Sequence, residues 1–325
     1  QLRGEYLLLT SCTLYNDMEA IYEAEQAAFA LLNGASRFRL SEIPITLGAT
    51  SVLSMMWSEP GTLESTLEKM QKFLPFHIQM SHGQGVGADC ALQAEIMMMR
   101  GDDAQAEILC HKAIYLARSK HDTAICLCAE LMLARIAILR GDVDAFLTAF
   151  ENIKEYAKES SNLYILRMVD ICLSAVSVAL DSTEFVAKWL NDSQTIRKKV
   201  YARAVPYMNV LYSHFLSREK RYAELLALVD GPMQMAREMR YVLPQVYGYI
   251  FRARVHYTGG REQEALENLA QAFALAFPDK VYLPFAQFSF VGDLLAKTKT
   301  ADIWNRHPEW KTGIDTIAAL CRRYG

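Results

Sequence analysis

The sequence has little charge, and neither sign dominates. Only 22% of its 325 residues are charged, and 34 Lys and Arg nearly balance 37 Asp and Glu, leaving a formal net charge of −3. A chain with 52% hydrophobic residues can bury a large core, so the composition excludes a disordered acidic or basic tail. The balanced charge creates no field that attracts a phosphate backbone, and it argues against nucleic-acid binding by this segment alone.

Long apolar runs are also absent. The longest uncharged stretch, Ile43 to Ser58, has sixteen residues and is broken by Pro44 and Gly48. A membrane helix needs about 20 apolar residues, so no membrane span is predicted. The start, Gln1 to Glu5, has neither an initiator Met nor a signal-peptide pattern, which predicts a segment taken from inside a longer polypeptide.

Metal-binding and redox spacings are missing. The seven cysteines are an odd set in apolar stretches, and the closest pair, Cys126 and Cys128, lacks the two-residue spacer of a zinc or redox motif. The histidines form no pair three or four residues apart. We therefore predict no metal site, and the free thiols favour a reducing, cytoplasmic location.

Catalytic motifs are missing as well. The sequence contains no phosphate-binding G-x-x-x-x-G-K-[ST] loop, no H-E-x-x-H and no G-x-S-x-G, so we predict no enzymatic activity and no cofactor. Residues 83–88 match a loosened dinucleotide fingerprint, but the preceding segment, Lys72 to Met80, is helical in pattern rather than a strand. A turn between helices is the favoured interpretation, in which His82 and Gln84 could contact a ligand or a neighbouring domain.

The strongest feature of the sequence is a forty-residue period. Short breaks recur at Gly61, Gly101, Gly141, Asp181, Arg221 and Arg261. Apolar positions after each break share one helical register, and a more apolar helix is predicted before the breaks at 89–100, 123–140, 163–180, 205–217 and 245–257. Each unit is therefore predicted to be a helix, a tight turn and a second helix.

Stacked helix hairpins bury the apolar faces that a single hairpin leaves open. The period thus predicts an all-α, tetratricopeptide-like superhelical solenoid of helix hairpins repeating about every 40 residues. We predict one domain over 1–325, with an irregular N-terminal part at 1–60, regular repeats at 61–280, and capping helices or a linker at 281–325.

The concave side of such an array is the predicted binding surface, because polar residues interrupt its apolar helices. The candidates are Arg135, Tyr164, Arg167, Asp170, Tyr207, Asn209, Gln245, Tyr249 and Arg252, with Glu130, Tyr212 and Gln287 as further polar positions. Arg167 and Asp170 are three residues apart and could form a structural pair instead. The mixture suits a small polar ligand, and it suits an extended peptide equally well.

Several stretches are more particular than a generic helical repeat. They are ITLGATSVL (45–53), EPG (59–61), HGQGVGA (82–88), AEILCHKAIYLARSK (106–120), LARIA (133–137), RGD (140–142), LPQ (243–245) and PDKVYLPFA (278–286). In these stretches the chain resembles the helical-repeat sensor region of large LuxR-type transcriptional regulators similar to the activator of the maltose regulon. The resemblance covers nearly the whole chain.

The resemblance implies an array that receives an inducer and controls self-association, beside an ATP-binding module and a DNA-binding helix-turn-helix. Neither of those modules has its motif here, so no ATP or DNA residues are assigned, and DNA would be reached only through a module outside this sequence. We expect an effector-sensing and self-association domain with a small polar effector as partner. The alternative is a scaffold that binds a peptide or another domain of the same regulator.

Overall fold

The structure is a computed structural model, and it describes residues 1–11, 13–14, 16–37, 44–298 and 302–324. These residues form helices and no strand, which confirms the prediction of an all-α fold. The α-helices are α1 (Leu2–Ser11), α2 (Met18–Leu32), α3 (Val52–Met56), α4 (Leu63–Met80), α5 (Ala88–Arg100), α6 (Asp103–Arg118), α7 (Thr123–Arg140), α8 (Val143–Glu159), α9 (Leu163–Ala179), α10 (Ser193–Lys199), α11 (Val205–Arg218), α12 (Tyr222–Glu238), α13 (Val242–Thr258), α14 (Glu262–Ala276), α15 (Leu283–Ala286), α16 (Ser289–Lys297), α17 (Asp302–Asn305) and α18 (Lys311–Tyr324). The five helices predicted before the breaks are all present, with ends within three residues of the predicted ones.

The forty-residue period is a period in turn geometry. After α5, Gly101 adopts a left-handed conformation, its N–H donates to the Met98 carbonyl at 3.0 Å, and the Asp102 N–H donates to the Met97 carbonyl at 2.9 Å. This pair of bonds satisfies the last carbonyls of the helix. The same pair recurs after α7, α9, α11 and α13, with Gly141, Asp181, Lys220 and Gly260 in the left-handed position.

The Gly-Asp dipeptides end one helix and begin the next. Asp102 accepts a hydrogen bond from the Gln105 N–H at 3.0 Å, and Asp142 accepts one from the Ala145 N–H at 3.0 Å. A carboxylate in this place satisfies a free N–H at the helix start. The copies of Gly-Asp therefore specify two tight helix hairpins.

The N-terminal part differs from the irregular region predicted for 1–60. It contains α1, α2 and α3. Helix α2 begins at an Asp17 cap and buries Met18, Ile21 and Ala28 at helical spacing. Its pattern stands outside the forty-residue register, which is why the repeat did not predict it.

The fourth unit also departs from the predicted regular repeat. Between Asp181 and α10 the chain forms turns and a short 3-10 helix (Lys188–Asn191) instead of one long helix. The Ser177 hydroxyl accepts from the Phe185 N–H at 3.3 Å, and the Ser174 hydroxyl accepts from the Ala187 N–H at 3.0 Å. These hydroxyls bind backbone groups that a helix would otherwise pair, so they favour the irregular path.

Six helices form a closed cycle of contacts. Helix α5 packs on α7, α7 on α9, α9 on α11, α11 on α13, α13 on α15, and α15 returns to α5. We call these six the inner helices; α6, α8, α12 and α14 pack on them through the hairpins. Helices that pack in chain order are compatible with the predicted repeat array, and the cycle of contacts surrounds a space that is partly open to solvent.

The cycle closes through contacts between residues more than 175 positions apart. The Asp279 carboxylate accepts hydrogen bonds from Trp57 Nε1 at 2.9 Å, from the Gly61 N–H at 2.6 Å and from the Leu63 N–H at 2.9 Å. The Tyr282 N–H donates to the Met99 carbonyl at 2.8 Å. None of the described helices combines the length and apolar character that a membrane crossing requires.

The glycine loop before α5 yields a stability prediction. Gly87 has φ +85, and a Cβ there would lie 2.8 Å from the Ala113 backbone oxygen, whereas Gly141 has φ +68 and open space around it. We expect Gly87→Ala to lower the free energy of unfolding by about 2.5 kcal/mol and Gly141→Ala by only about 1 kcal/mol, since only the first adds a backbone clash to the left-handed penalty. Urea unfolding measures both. Equal losses would show that the close approach at Gly87 does not matter.

Candidate functional site

The inner helices surround a cavity of about 1480 Å³ that is partly open to solvent. Every inner helix or its flanking residue contributes to the wall, and α16 and α18 also line it. Typical lining residues, one from each inner helix in chain order, are Met99, Arg135, Ala175, His214, Tyr247 and Gln287, the last following α15. Clefts and cavities with a few converging polar groups are the usual binding sites of small molecules.

Forty-residue spacing places the polar groups of the wall on successive inner helices. Tyr207, Tyr247 and Gln287 occupy the same repeat position, and the Tyr247 hydroxyl donates to Gln287 Oε1 at 3.0 Å. The Tyr207 hydroxyl and Thr50 Oγ1 are 2.8 Å apart, which ties α11 to the segment before α3. These bonds hold one side of the cavity in a defined arrangement.

Arg135 is the cation at this side of the cavity. It is half-buried and lines the wall, and within the described ranges no carboxylate lies at ion-pair distance from it. Burial and the charge of Arg135 together lower the pKa of His214 to about 3. His214 is therefore a neutral, aromatic part of the wall, stacked on Phe288 with ring centroids 5.4 Å apart.

Glu95 of α5 lies behind this wall and is 3% exposed. Its carboxylate accepts from the Leu53 N–H at 2.6 Å, the Ser51 hydroxyl at 3.0 Å and the Val52 N–H at 3.2 Å. Burial raises the pKa of Glu95 to about 7, although these hydrogen bonds and the nearby Arg135 act to lower it. Glu95 thus holds the start of α3 against the inner helix α5, and it titrates near neutral pH.

Two of the predicted concave-face residues, Arg135 and Tyr207, line the cavity together, and the further position Gln287 joins them. The other seven contact protein groups elsewhere. Tyr164 stacks on Tyr201, Arg167 donates to the Lys199 carbonyl, Asp170 accepts from Trp189 Nε1, Asn209 donates to the Val205 carbonyl, Gln245 donates to the Tyr241 carbonyl, the Tyr249 hydroxyl accepts from Arg237, and Arg252 pairs with Asp230. These seven residues lie on the predicted helices, but their side chains do not line the cavity.

Arg167 and Asp170 do not pair with each other. Arg167 reaches the carbonyl at the C-terminal end of α10, where helix carbonyls attract a cation. Asp170 accepts the Trp189 indole N–H at 2.8 Å. The structural pair that their spacing allowed is replaced by contacts to the irregular fourth unit.

The loop candidates lie away from the cavity. His82 adopts φ 59 after α4, and its Nε2 lies 3.1 Å from the Ser36 carbonyl oxygen. The Gln84 carbonyl accepts from the Ser81 hydroxyl at 3.2 Å. The loop itself is held by Asp122, whose carboxylate accepts the Gly85 N–H at 2.6 Å.

Sequence reasoning missed His214, Tyr247, Arg218 and Arg254, which all line the cavity. The signal was present: His214 and Arg254 are forty residues apart, and Tyr247 is forty residues after the candidate Tyr207. Extending the candidates along their repeat positions would have found Tyr247, but not His214, Arg218 or Arg254.

Other kinds of site have no support in the described part of the chain. No group of three or more His, Cys, Asp and Glu side chains there could hold a metal ion. Five cysteines (90, 110, 126, 128 and 172) are buried, and burial raises the pKa of Cys90 and of Cys126 to about 11. Such thiols are poor nucleophiles at neutral pH.

The chain matches no protein-family model, and no curated protein matches it at a significant level. The functional interpretation therefore depends on the cavity and on the residues that line it.

Proposed function

We propose that this chain is an effector-sensing domain whose cavity receives a small polar molecule. The observation that supports it best is the half-buried Arg135, unpaired with any described carboxylate, in the wall of a cavity of about 1480 Å³. The hydrogen-bond neighbour of Arg135 is the neutral Tyr247 hydroxyl, so a ligand with acceptor groups would compensate a charge that no described carboxylate neutralises. Tyr207, Tyr247 and Gln287 supply hydrogen-bonding groups beside it.

The resemblance to LuxR-type regulators supplies a biological context for this proposal. In such a regulator the helical array is a tetratricopeptide-like superhelix, and ligand binding in its centre controls self-association. A ligand can shift such an equilibrium only by binding the two states with different affinity. A cavity walled by all six inner helices suits that requirement, because opening the cycle separates groups that the ligand holds together. ATP and DNA binding would belong to modules outside these 325 residues.

A thermal-shift screen of polar metabolites tests the proposal. A compound at 100 times its Kd adds about 2.7 kcal/mol to the free energy of unfolding. We expect at least one such compound, with the shift lost in Arg135→Gln and kept in Arg167→Gln, since Arg167 lies outside the cavity. If no compound gives a shift or calorimetric heat, or if Arg135→Gln responds like the wild type, the direct-sensing proposal fails.

A peptide-binding scaffold is the second candidate. The cavity volume of about 1480 Å³ exceeds the roughly 300–1,000 Å³ of ordinary small-molecule pockets, which favours an extended occupant such as a chain segment. Capture of the ATP-binding module of the same regulator by this domain, lost in Arg135→Gln, would support the scaffold. Capture that is unchanged in Arg135→Gln would mean that the ATP-binding module contacts another part of the surface.

A further inference from the structure

A second cation lines the cavity at Arg254 of α13. It lies seven residues after Tyr247, which is two helical turns and roughly 10 Å further along the same face. Its guanidinium lies over the Phe290 ring, 5.2 Å from the centroid. The two half-buried arginines, Arg135 and Arg254, therefore line different parts of one cavity.

Arg254 lacks the partners that a half-buried guanidinium normally has. Its Nε atom is buried and has no hydrogen-bond partner. Among the residues that the structure describes, no carboxylate comes within ion-pair distance of it. A contact with an aromatic face compensates only part of the lost hydration. The site is complete only if something else supplies an acceptor.

Arg218 adds a second guanidinium to the same part of the wall. It ends α11, lines the cavity, and donates through Nε to the Val178 carbonyl at 3.2 Å. Burial lowers the pKa of Arg218, and the like charge of Arg254 lowers it further, so the two guanidinium groups repel each other. Among the described residues, Arg218 pairs with Asp181, whose side chain is 69% exposed.

The negative charges of the cavity are at its exposed rim. Asp181, Asp293 and Asp315 are lining residues that are all solvent-exposed, whereas Arg135 and Arg254 are half-buried. Water screens the rim carboxylates, so the interior keeps a positive potential. Guanidinium groups bind carboxylate and phosphate oxygens through paired N–H bonds.

We propose that the effector is an organic anion whose oxyanion group binds between Arg218 and Arg254, while its polar remainder extends toward Arg135 and the Tyr247–Gln287 pair. The inference rests on the proposed function and specifies the ligand class. Carboxylate and phosphate share the required chemistry, and the test separates them.

The test compares three anions at equal ionic strength and pH 7.5: sodium phosphate, sodium succinate and sodium chloride. Wild type, Arg254→Gln and Arg252→Gln are melted in each. Arg252 is the matched control because it lies two residues away on α13, outside the cavity, and pairs with Asp230. The control is needed because phosphate stabilises many proteins by exclusion from their surface.

We expect phosphate or succinate to raise Tm above the chloride value in wild type and in Arg252→Gln. In Arg254→Gln the affinity for that anion, measured by calorimetry, falls about tenfold or more, and Arg254→Lys recovers part of it. Without added oxyanion, Arg254→Gln melts at or above the wild-type temperature, because a repulsive cation has been removed. The anion that acts shows whether the group is a phosphate or a carboxylate.

The same rise in wild type and Arg254→Gln overturns the proposal, as does no rise in either. A lower Tm of Arg254→Gln in chloride with an unchanged anion response assigns Arg254 to packing on Phe290 instead. A neutral compound that binds in an Arg135-dependent way, while both oxyanions fail, keeps the sensing function and overturns only the anionic class of effector.

Discussion

An Asp279→Ala variant loses about 4 kcal/mol of unfolding free energy. Asp279 is 4% exposed, and its carboxylate accepts three hydrogen bonds from groups around the turn between α3 and α4. Removing it leaves the Trp57 indole and two backbone N–H groups without their acceptor. A hydrogen bond to a charged group contributes about 1.5 kcal/mol or more, so losing three gives this magnitude.

Urea unfolding measures the loss, and Asp142→Ala is the matched control. Asp142 also accepts a backbone N–H, but at an exposed helix start within one hairpin, so its loss is about 1 kcal/mol. Hydrogen exchange adds a local readout: in Asp279→Ala the N–H groups of Val242 and Tyr282, which donate across the closure to Trp57 and Met99, exchange faster. A loss no larger than that of Asp142→Ala contradicts the role of Asp279 in closing the cycle.

A Glu95→Gln variant changes the pH dependence of stability by about 3 kcal/mol. Burial raises the pKa of Glu95 from 4.5 to about 7 in the folded protein, while the unfolded chain keeps the ordinary value. Between these values the native state holds a proton that the unfolded state releases. The contribution of this carboxyl is therefore fully present below about pH 4.5 and lost as pH rises to about 7.

Gln has no such proton, so its stability relative to wild type rises with pH. Urea unfolding of both proteins at pH 4.5 and pH 8 gives the difference, in which the contributions of all other titrating groups cancel. We expect the difference to move by about 3 kcal/mol in favour of Gln at the higher pH. An equal difference at both pH values would mean that folding leaves the pKa of Glu95 unchanged, and a movement in the opposite direction would mean that folding lowers it; either result contradicts the prediction.

The carboxyl of Glu95 connects the start of α3 with the part of the cavity wall that holds Arg135. It holds the start of α3 through Ser51, Val52 and Leu53, and the Arg135 charge acts on it from the cavity side. An anion that occupies the cavity would weaken the positive potential that Arg135 exerts on Glu95. Effector binding is therefore expected to raise the pKa of this carboxyl further and to depend on pH between about 5 and 8.

Local patterns in the sequence predicted the helices well. The helix from Thr123 to Arg140 has its predicted ends, because Asp122 and Gly141 mark them and apolar periodicity fills the interior. These signals act within a few residues of each other. The same reasoning failed between Asp181 and α10, where Ser174 and Ser177 of the preceding helix bind the backbone.

The candidate site was predicted only in part for a related reason. Arg135 and Tyr207 were named because polar residues interrupt apolar helices, but Arg167 and Arg252 satisfy that rule equally and point elsewhere. Periodicity states which helix carries a residue. It does not state the rotation of that helix against its neighbours, which depends on the packing of every other side chain in the interface.

The sequence by itself determined the all-α fold class, the ends of five helices to within three residues, and a forty-residue repeat of one turn geometry. Only the tertiary structure decided that the inner helices close into a cycle, since that depends on contacts such as Asp279 with Trp57 between segments 222 residues apart. Hydrogen bonds within a turn follow from adjacent residues. The curvature of the whole array is the sum of many small packing angles, so no local pattern encodes whether the last helix meets the first.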